Sequence, residues 1–296
     1  MSTSTDTAPA AKDHGRAGRD VPLAIVTAIG LLVAIGASLL LIKSLFILIV
    51  LVALSVGVWE LRRGLSGLGL DLPQLPITVG GAAMITSAYV WGANALVTAT
   101  AMTALGTLLI LFRRGVEGYV RTATASIFTV IYLPFLGSFV ALMLSEGGRR
   151  WATDIDLHDV GVRSVLTFIA LVVASDVGGF AAGVLFGRHP MAPVISPKKS
   201  WEGFAGSAVA TVAAGIALVV TLFHGHWYVG AVMGVIAVGM AVLGDLVESV
   251  IKRDLGVKDM SRIIPGHGGI MDRLDSLLAT VAPMWLVLHY WVLRGH

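Results

Sequence analysis

The chain has 296 residues, of which 56% are hydrophobic and 13% are charged, with a formal net charge of +3 and no cysteine. This composition lies far outside the range of soluble globular proteins, so the sequence indicates an integral membrane protein. The lack of cysteine excludes disulfides and zinc sites built on thiolates.

Continuous apolar stretches of bilayer length recur along the chain. A helix needs roughly 20 apolar residues to cross a membrane, and continuous rather than alternating runs favour helices over a barrel. We therefore predict an all-α, polytopic membrane protein with about nine transmembrane helices, at 21–42, 45–61, 76–93, 95–112, 122–145, 164–187, 204–223, 227–251 and 277–293.

The polar content divides the chain into three parts. Residues 1–20 are small and polar, which predicts a disordered cytoplasmic tail; a cleaved signal peptide is disfavoured because the following apolar stretch is too long. Residues 21–160 form about five helices that carry few ionisable groups, with Glu60 as the main exception. Residues 161–296 form about four helices with polar cytoplasmic loops, and we expect the catalytic region there.

The positions of the basic residues predict the orientation. With the N-terminus inside and the C-terminus outside, the cytoplasmic side collects all but five of the 21 lysines and arginines. The five exceptions are Lys43, Arg149, Arg150, Arg163 and Arg294. This orientation places the polar clusters of the C-terminal part on the cytoplasmic side.

The sixth crossing contains a carboxylate. Asp176 is followed by Gly178 and Gly179. Either the helix is broken there and opens a cavity, or Asp176 is a single hydrogen-bonded group of the core. We favour the cavity, because glycines also let neighbouring helices pack closely around it.

A basic segment, S-P-K-K-S-W-E-G, precedes the seventh crossing. Ser200 is a predicted N-cap with Glu202 in the first turn, and Lys198 and Lys199 lie just before it. Free amide groups at a helix N-terminus bind phosphate, and the two lysines add positive charge. The alternative is that the lysines only anchor the loop to lipid headgroups.

The eighth crossing ends in a polar stripe. Asp245, Glu248, Ser249 and Lys252 are spaced i, i+3, i+4 and i+7, which places them on one helical face. A Glu248–Lys252 ion pair would ease the helix out of the membrane, but it leaves Asp245 unexplained. A divalent cation would explain it, since Mg²⁺ binds one or two carboxylates and fills its other positions with water and phosphate oxygens.

Asp272 is the predicted second metal ligand. It follows the turn P-G-H-G-G and stands beside Arg273 and Asp275. The alternative is a glycine turn and a charged helix start, where the helix dipole favours Asp275. Carboxylates, basic residues, a glycine loop and apolar walls together suit phosphoryl or nucleotidyl transfer to a substrate that is partly lipid.

The segment from Ser249 to Asp275 reads S-x-I-K-R-x-x-x-x-K-D-x-S-x-x-I-P-x-H-G-G-I-x-D-R-L-D. It resembles, over its full length, the signature of the phosphatidate cytidylyltransferases, also called CDP-diglyceride synthases. S-P-K-K-S-W-E-G is similar to another stretch of that family, with Ser200 where threonine is more usual. Ser175 stands where the family has asparagine before Asp176.

The resemblance implies a Mg²⁺-dependent reaction of CTP with phosphatidic acid that yields CDP-diacylglycerol and pyrophosphate, with room for a second cation. It implies metal binding by Asp245 and Asp272, phosphate-charge compensation by Lys198, Lys199, Lys252, Arg262 and Arg273, and a phosphate contact or proton transfer by His267. Glu248, Asp259 and Asp275 would orient the basic side chains. The remaining expected substrate-site residues are Asp176, Ser196, Ser249, Lys258, Gly268 and Gly269.

The resemblance also implies a homodimer. Together with the predicted orientation, we expect a multi-pass protein of the cell (inner or plasma) membrane with the active site facing the cytoplasm, and no nucleic-acid partner. Two other functions stay open on the residues alone. A polyprenol kinase or other lipid kinase would use the same groups with a different donor. A cation-coupled transporter would use Asp176, Asp245 and Glu248 as an ion path, but it predicts an internal repeat that the sequence lacks.

Overall fold

The fold is taken from a computed structural model that describes residues 30, 33–148, 156, 158–261, 263–264 and 268–293, with the side chains of residues 197 and 198 left out. The predicted tail at 1–20 and most of the first predicted crossing lie outside the described residues. Arg262 and His267 do so as well, and of Lys198 only the backbone is described.

The described chain is built almost entirely of helices, after a short helical segment at 33–41. The elements are α1 (Lys43–Ser66), α2 (Gln74–Trp91), α3 (Ala93–Phe112), α4 (Tyr119–Val130), α5 (Leu136–Ser145), α6 (Val160–Phe186), β1 (Pro190–Ala192), β2 (Ser196–Ser200), α7 (Trp201–Phe223), α8 (Trp227–Asp254) and α9 (Met271–Val287). A π-helical turn at Ile131–Phe135 joins α4 to α5, and a second one at Leu288–Leu293 extends α9.

Seven helical spans among the described residues are long and apolar enough to cross a membrane, counting α4 to α5 as one span and α9 with its extension as another. The prediction of an all-α, polytopic membrane protein is therefore confirmed. The described helices overlap the second to ninth predicted crossings, and α2, with 18 residues, is the one that lies outside the set of seven.

Helix α9 differs from its prediction because it begins at Met271, six residues before the expected start. The sequence prediction excluded the charged residues Asp272, Arg273 and Asp275 from the membrane span. In the structure they form the first turns of the helix, where Asp272 is buried. The polar end of α9 is therefore part of the folded interior.

A small hairpin replaces the loop expected before α7. Strands β1 and β2 pair antiparallel, with Pro190 opposite Ser200. The predicted cap is confirmed, because Ser200 Oγ accepts a hydrogen bond from the Gly203 amide at 3.1 Å and Glu202 lies in the first turn of α7. The hairpin thus delivers the basic segment directly to a helix N-terminus.

Glycines let the C-terminal helices approach closely. A Cβ at Gly178 would lie 2.6 Å from the Ala210 Cβ, so α6 and α7 contact through backbone there. A Cβ at Gly244 would lie 2.5 Å from the Asp275 carbonyl oxygen, which brings α9 against α8 beside Asp245. Helix α6 runs unbroken through Asp176, so the predicted helix break is wrong, because the two glycines serve packing instead.

A buried ion pair ties α1 to the start of α6. Lys43 Nζ lies 2.6 Å from Asp159 Oδ2, with the two side chains 5% and 2% exposed. Asp159 also caps α6 by accepting a hydrogen bond from the Val162 amide at 3.1 Å. The pair joins the N-terminal helices to the C-terminal ones at the end of α1 opposite Glu60.

We expect Asp159→Ala to lower the free energy of unfolding by about 3–5 kcal/mol, because it removes the carboxylate that pairs with the buried Lys43 ammonium at 2.6 Å. The measurement is thermal unfolding of the purified protein in detergent. Asp71→Ala is the matched control: Asp71 pairs with Arg62 and Arg114 but is 66% exposed, so we expect a loss of about 0–1 kcal/mol. Equal losses for both variants would contradict a stabilising role for the buried Lys43–Asp159 ion pair.

Candidate active site

A cavity of about 310 Å³ lies among α6, α7, α8 and the hairpin. Its apolar walls include Phe180, Met191 and Phe204. Its polar lining consists of Ser175, Asp176, Lys199, Ser200, Ser207, Asp245 and Ser276. Asp176 therefore does line a cavity although its helix is intact. Small residues of α6 and α7, among them Gly179, Gly183 and Gly203, border the same space.

Three carboxylates converge at one edge of this cavity. Asp245, Glu248 and Asp275 each offer an oxygen, and these oxygens lie within 4.8 Å of one another. Asp245 and Glu248 are one turn apart on α8, and Asp275 comes from the first turns of α9. Their convergence depends on Gly244, where the backbone of α9 passes against α8. Oxygen ligands in such a group suit a hard divalent cation.

The bonding of Glu248 supports a cation at this position. Glu248 is fully buried, and Lys252 Nζ lies 2.5 Å from its Oε2. No described residue donates a hydrogen bond to its Oε1. A buried carboxylate oxygen without a partner is unfavourable, and a bound cation would relieve it. The donor set and the unsatisfied oxygen therefore fit a metal ion.

The basic residues of the site are paired with its carboxylates. Lys199 Nζ lies 2.5 Å from Asp245 Oδ2, so the hairpin contacts α8. Lys252 Nζ lies 2.8 Å from Asp272 Oδ1 in addition to its contact with Glu248. The Glu248–Lys252 ion pair that the sequence offered as a plain structural explanation is thus present, within a larger network.

Asp272 holds the chain segment before α9. Its Oδ2 accepts hydrogen bonds from the Met260 amide at 3.1 Å and the Gly269 amide at 2.8 Å, and its Oδ1 accepts one from Lys252. The group of three converging carboxylates contains Asp245 but not Asp272. The pairing of Asp245 with Asp272 on a metal stays a prediction, and Glu248 and Asp275 are the carboxylates that the structure brings to Asp245.

The other predicted site residues lie around this network. Ser196 begins β2, and Ser249 and Asp259 are half-buried, whereas Lys258 and Arg273 are exposed. Gly268 has a φ of +86°, which favours glycine, and its amide and carbonyl pair with Ile264.

His267 and Arg262 fall outside the described residues, so their predicted roles stay predictions.

Sequence reasoning did not include Glu60 in the site. Glu60 of α1 is 0% exposed and accepts hydrogen bonds from the Ser261 hydroxyl, the Ile270 amide at 3.0 Å and the Met271 amide at 2.8 Å. The available signal was a single acidic residue in an otherwise apolar crossing, which usually indicates a functional or strongly paired group. Its partners could not be inferred, because two of them are backbone amides.

Comparison with known proteins assigns the chain to a family. A sequence model described as the cytidylyltransferase family matches residues 22–291. A protein named phosphatidate cytidylyltransferase from Mycobacterium bovis is 39% identical, over 94% of this chain and 91% of its own length. Proteins of the same name from Mycobacterium leprae and Pseudomonas aeruginosa are 36% and 33% identical, over 94% and 87% of this chain and 90% and 93% of their own lengths. Because the match covers nearly all of the sequence, this chain belongs to the cytidylyltransferase family.

Proposed function

We propose that the protein transfers the cytidylyl group of CTP to phosphatidate, which yields CDP-diacylglycerol and pyrophosphate. The observation that carries this proposal is the convergence of Asp245, Glu248 and Asp275, with Lys199 and Lys252 paired to them, at a cavity between membrane-spanning helices. The names of the relatives and the family support the same reaction.

Mg²⁺ is the cation we expect at the carboxylates, with Asp245 as the ligand common to the observed cluster and to the predicted Asp245–Asp272 pair. Bound there, it would supply positive charge to the triphosphate oxygens of CTP. Three carboxylates on one ion leave several coordination positions for water and phosphate oxygens, as Mg²⁺ requires.

The reaction forms a bond between a phosphatidate oxygen and the α-phosphorus of CTP, and it breaks the bond from that phosphorus to the oxygen that leaves with pyrophosphate. A phosphate monoester is largely ionised near neutral pH, since its second pKa is about 6, so no strong general base is needed. The chain's task is to position the two substrates and compensate their charge.

Lys199 and Lys252 are placed for charge compensation. Their ammonium groups contact the site carboxylates, at the position where the phosphate oxygens of the substrates would bind beside a cation held by those carboxylates. Lys198, Arg262 and Arg273 are the further candidates, as predicted from the sequence. The apolar walls at Phe180 and Phe204 suit the lipid part of phosphatidate.

We also propose that the site faces the cytoplasm in a multi-pass protein of the cell membrane, because CTP is cytoplasmic and most basic residues lie on that side in the predicted orientation. Homodimer formation stays a proposal that rests on the family resemblance. The same holds for the division of the chain into an N-terminal part and a C-terminal catalytic part.

The direct test uses purified protein with CTP, phosphatidate and increasing Mg²⁺, and it measures pyrophosphate release and radiolabel from CTP in chloroform-extractable lipid. We expect both signals to require all three components. Activity with ATP and a polyprenol instead would support the lipid kinase, and cation uptake into proteoliposomes without lipid labelling would support the transporter.

We expect Asp245→Asn to lower kcat by about 10²–10³-fold, because it removes the carboxylate that contacts both the cluster and Lys199. The measurement is cytidylyl transfer by protein that elutes as a folded species in detergent. Glu117→Gln, an exposed change in the turn before α4, is the control with expected normal activity. Near-normal kcat in Asp245→Asn would remove Asp245 from the metal site.

The roles of Asp275 and Asp272 can be distinguished by how a substitution at each position changes the dependence of activity on Mg²⁺. We expect Asp275→Asn to raise the Mg²⁺ concentration for half-maximal activity about tenfold or more and to weaken the thermal stabilisation by Mg²⁺. We expect Asp272→Asn to lower kcat with little change in the Mg²⁺ requirement, since its oxygens hold Lys252 and two backbone amides. The opposite pattern would restore Asp272 as the ligand in place of Asp275.

A further inference from the structure

Glu60 belongs to the N-terminal helices, yet all the hydrogen bonds that it accepts from described residues come from the segment that leads into α9. The donors are the Ser261 hydroxyl and the amides of Ile270 and Met271. The side chain is fully buried on a membrane-spanning helix. A carboxylate in that setting is costly, so its location calls for a specific partner, and the α9 segment supplies it.

The amides that Glu60 accepts from stand at the start of α9. The first amides of any helix have no acceptor within that helix, and the partial positive charge there favours a carboxylate. The N-cap residue, Ile270, has no side chain that could accept these bonds. Glu60 therefore caps α9 from another part of the chain.

Two carboxylates accept the hydrogen bonds from the backbone amides at the start of α9. Asp272 accepts hydrogen bonds from Gly269 and Met260, and Glu60 accepts them from the next two amides and from Ser261. Gly269 lies in close contact with Glu60, since a Cβ there would be 2.7 Å from Oε1 and 2.8 Å from Oε2. A side chain at position 269 would therefore displace the Glu60 carboxylate from its present position.

We propose that Glu60 is a positioning residue for the nucleotidyl-transfer site, an inference that rests on the proposed function. By fixing the first turn of α9, it sets where Asp272 and Asp275 stand relative to Asp245, Glu248 and Lys252 on α8. Asp275 follows Met271 by about one helical turn, so a tilt or fraying at the helix start displaces its carboxylate from the cluster. The N-terminal helices thereby contribute to the active site without contacting substrate.

The test compares Glu60→Gln with wild-type protein and with Asp159→Asn. Asparagine at 159 weakens the other buried charged link of α1 while leaving the site untouched, so it controls for loss of stability alone. We expect Glu60→Gln to lower kcat about 10–100-fold with the KM for CTP changed by no more than about twofold. We expect Asp159→Asn to lower the unfolding temperature with kcat unchanged.

Hydrogen–deuterium exchange gives a readout that does not depend on activity. In Glu60→Gln the amides within 269–272 should exchange faster than in wild type, whereas in Asp159→Asn they should keep wild-type protection. Loss of stability in Glu60→Gln with normal kcat and normal exchange at 269–272 would overturn the inference and leave Glu60 a purely structural residue.

Ser261→Ala is a milder variant that keeps the Glu60 carboxylate and its two backbone partners. We expect a smaller fall in kcat than in Glu60→Gln, and no further fall when the two changes are combined, because Ser261 acts through Glu60. Additive losses of kcat in the double variant would contradict the conclusion that Ser261 acts through Glu60. If wild-type protein fails to label lipid from CTP, the proposed function fails, while the exchange measurements still decide whether Glu60 orders the start of α9.

Discussion

Lys252 lies between two buried carboxylates, Glu248 on its own helix and Asp272 on α9. A charge is costly to bury unless it is paired, and one ammonium here contacts two carboxylates from different helices. This contact holds α8 and α9 together at their polar ends. The positions of the remaining site residues follow from it, because Asp245 and Asp275 extend from the same two helices.

The ion pairing of the site carboxylates is incomplete, which suits the binding of a cation. Lys199 compensates Asp245 and Lys252 compensates Glu248, but Asp275 forms no ion pair in the part of the chain that the structure describes. Together with the unsatisfied oxygen of Glu248, this leaves an excess of negative charge at one point beside the cavity. Such a point suits a divalent cation, which would supply positive charge for the triphosphate of the proposed substrate.

The N-terminal and C-terminal parts of the chain are joined at both ends of α1. The Lys43–Asp159 pair links α1 to α6, and the bonds from Glu60 link α1 to α9. Glu60 and Lys43 are about 25 Å apart along an ideal helix. The N-terminal helices, which looked like a plain apolar region, therefore support the site as a scaffold that sets the start of α9.

Sequence alone determined the features that arise from local composition. Apolar runs of bilayer length predicted the helices, the capping pattern of Ser200 and Glu202 predicted the start of α7, and the polar stripe on the eighth crossing predicted that Asp245, Glu248 and Lys252 share a face. The family resemblance, carried by Ser249 to Asp275, indicated the reaction. These features can be predicted from a sequence because each depends on residues that are neighbours along the chain.

Tertiary structure decided which groups meet across helices. It brought Asp275 to Asp245 and Glu248 through the close contact at Gly244, and it turned Asp272 toward Lys252 and two backbone amides. It also gave Glu60 its partners. The sequence contains no pattern for the rotation of one helix against another, or for the use of backbone amides as hydrogen-bond donors. The partner of each carboxylate is therefore determined by the packing of the helices.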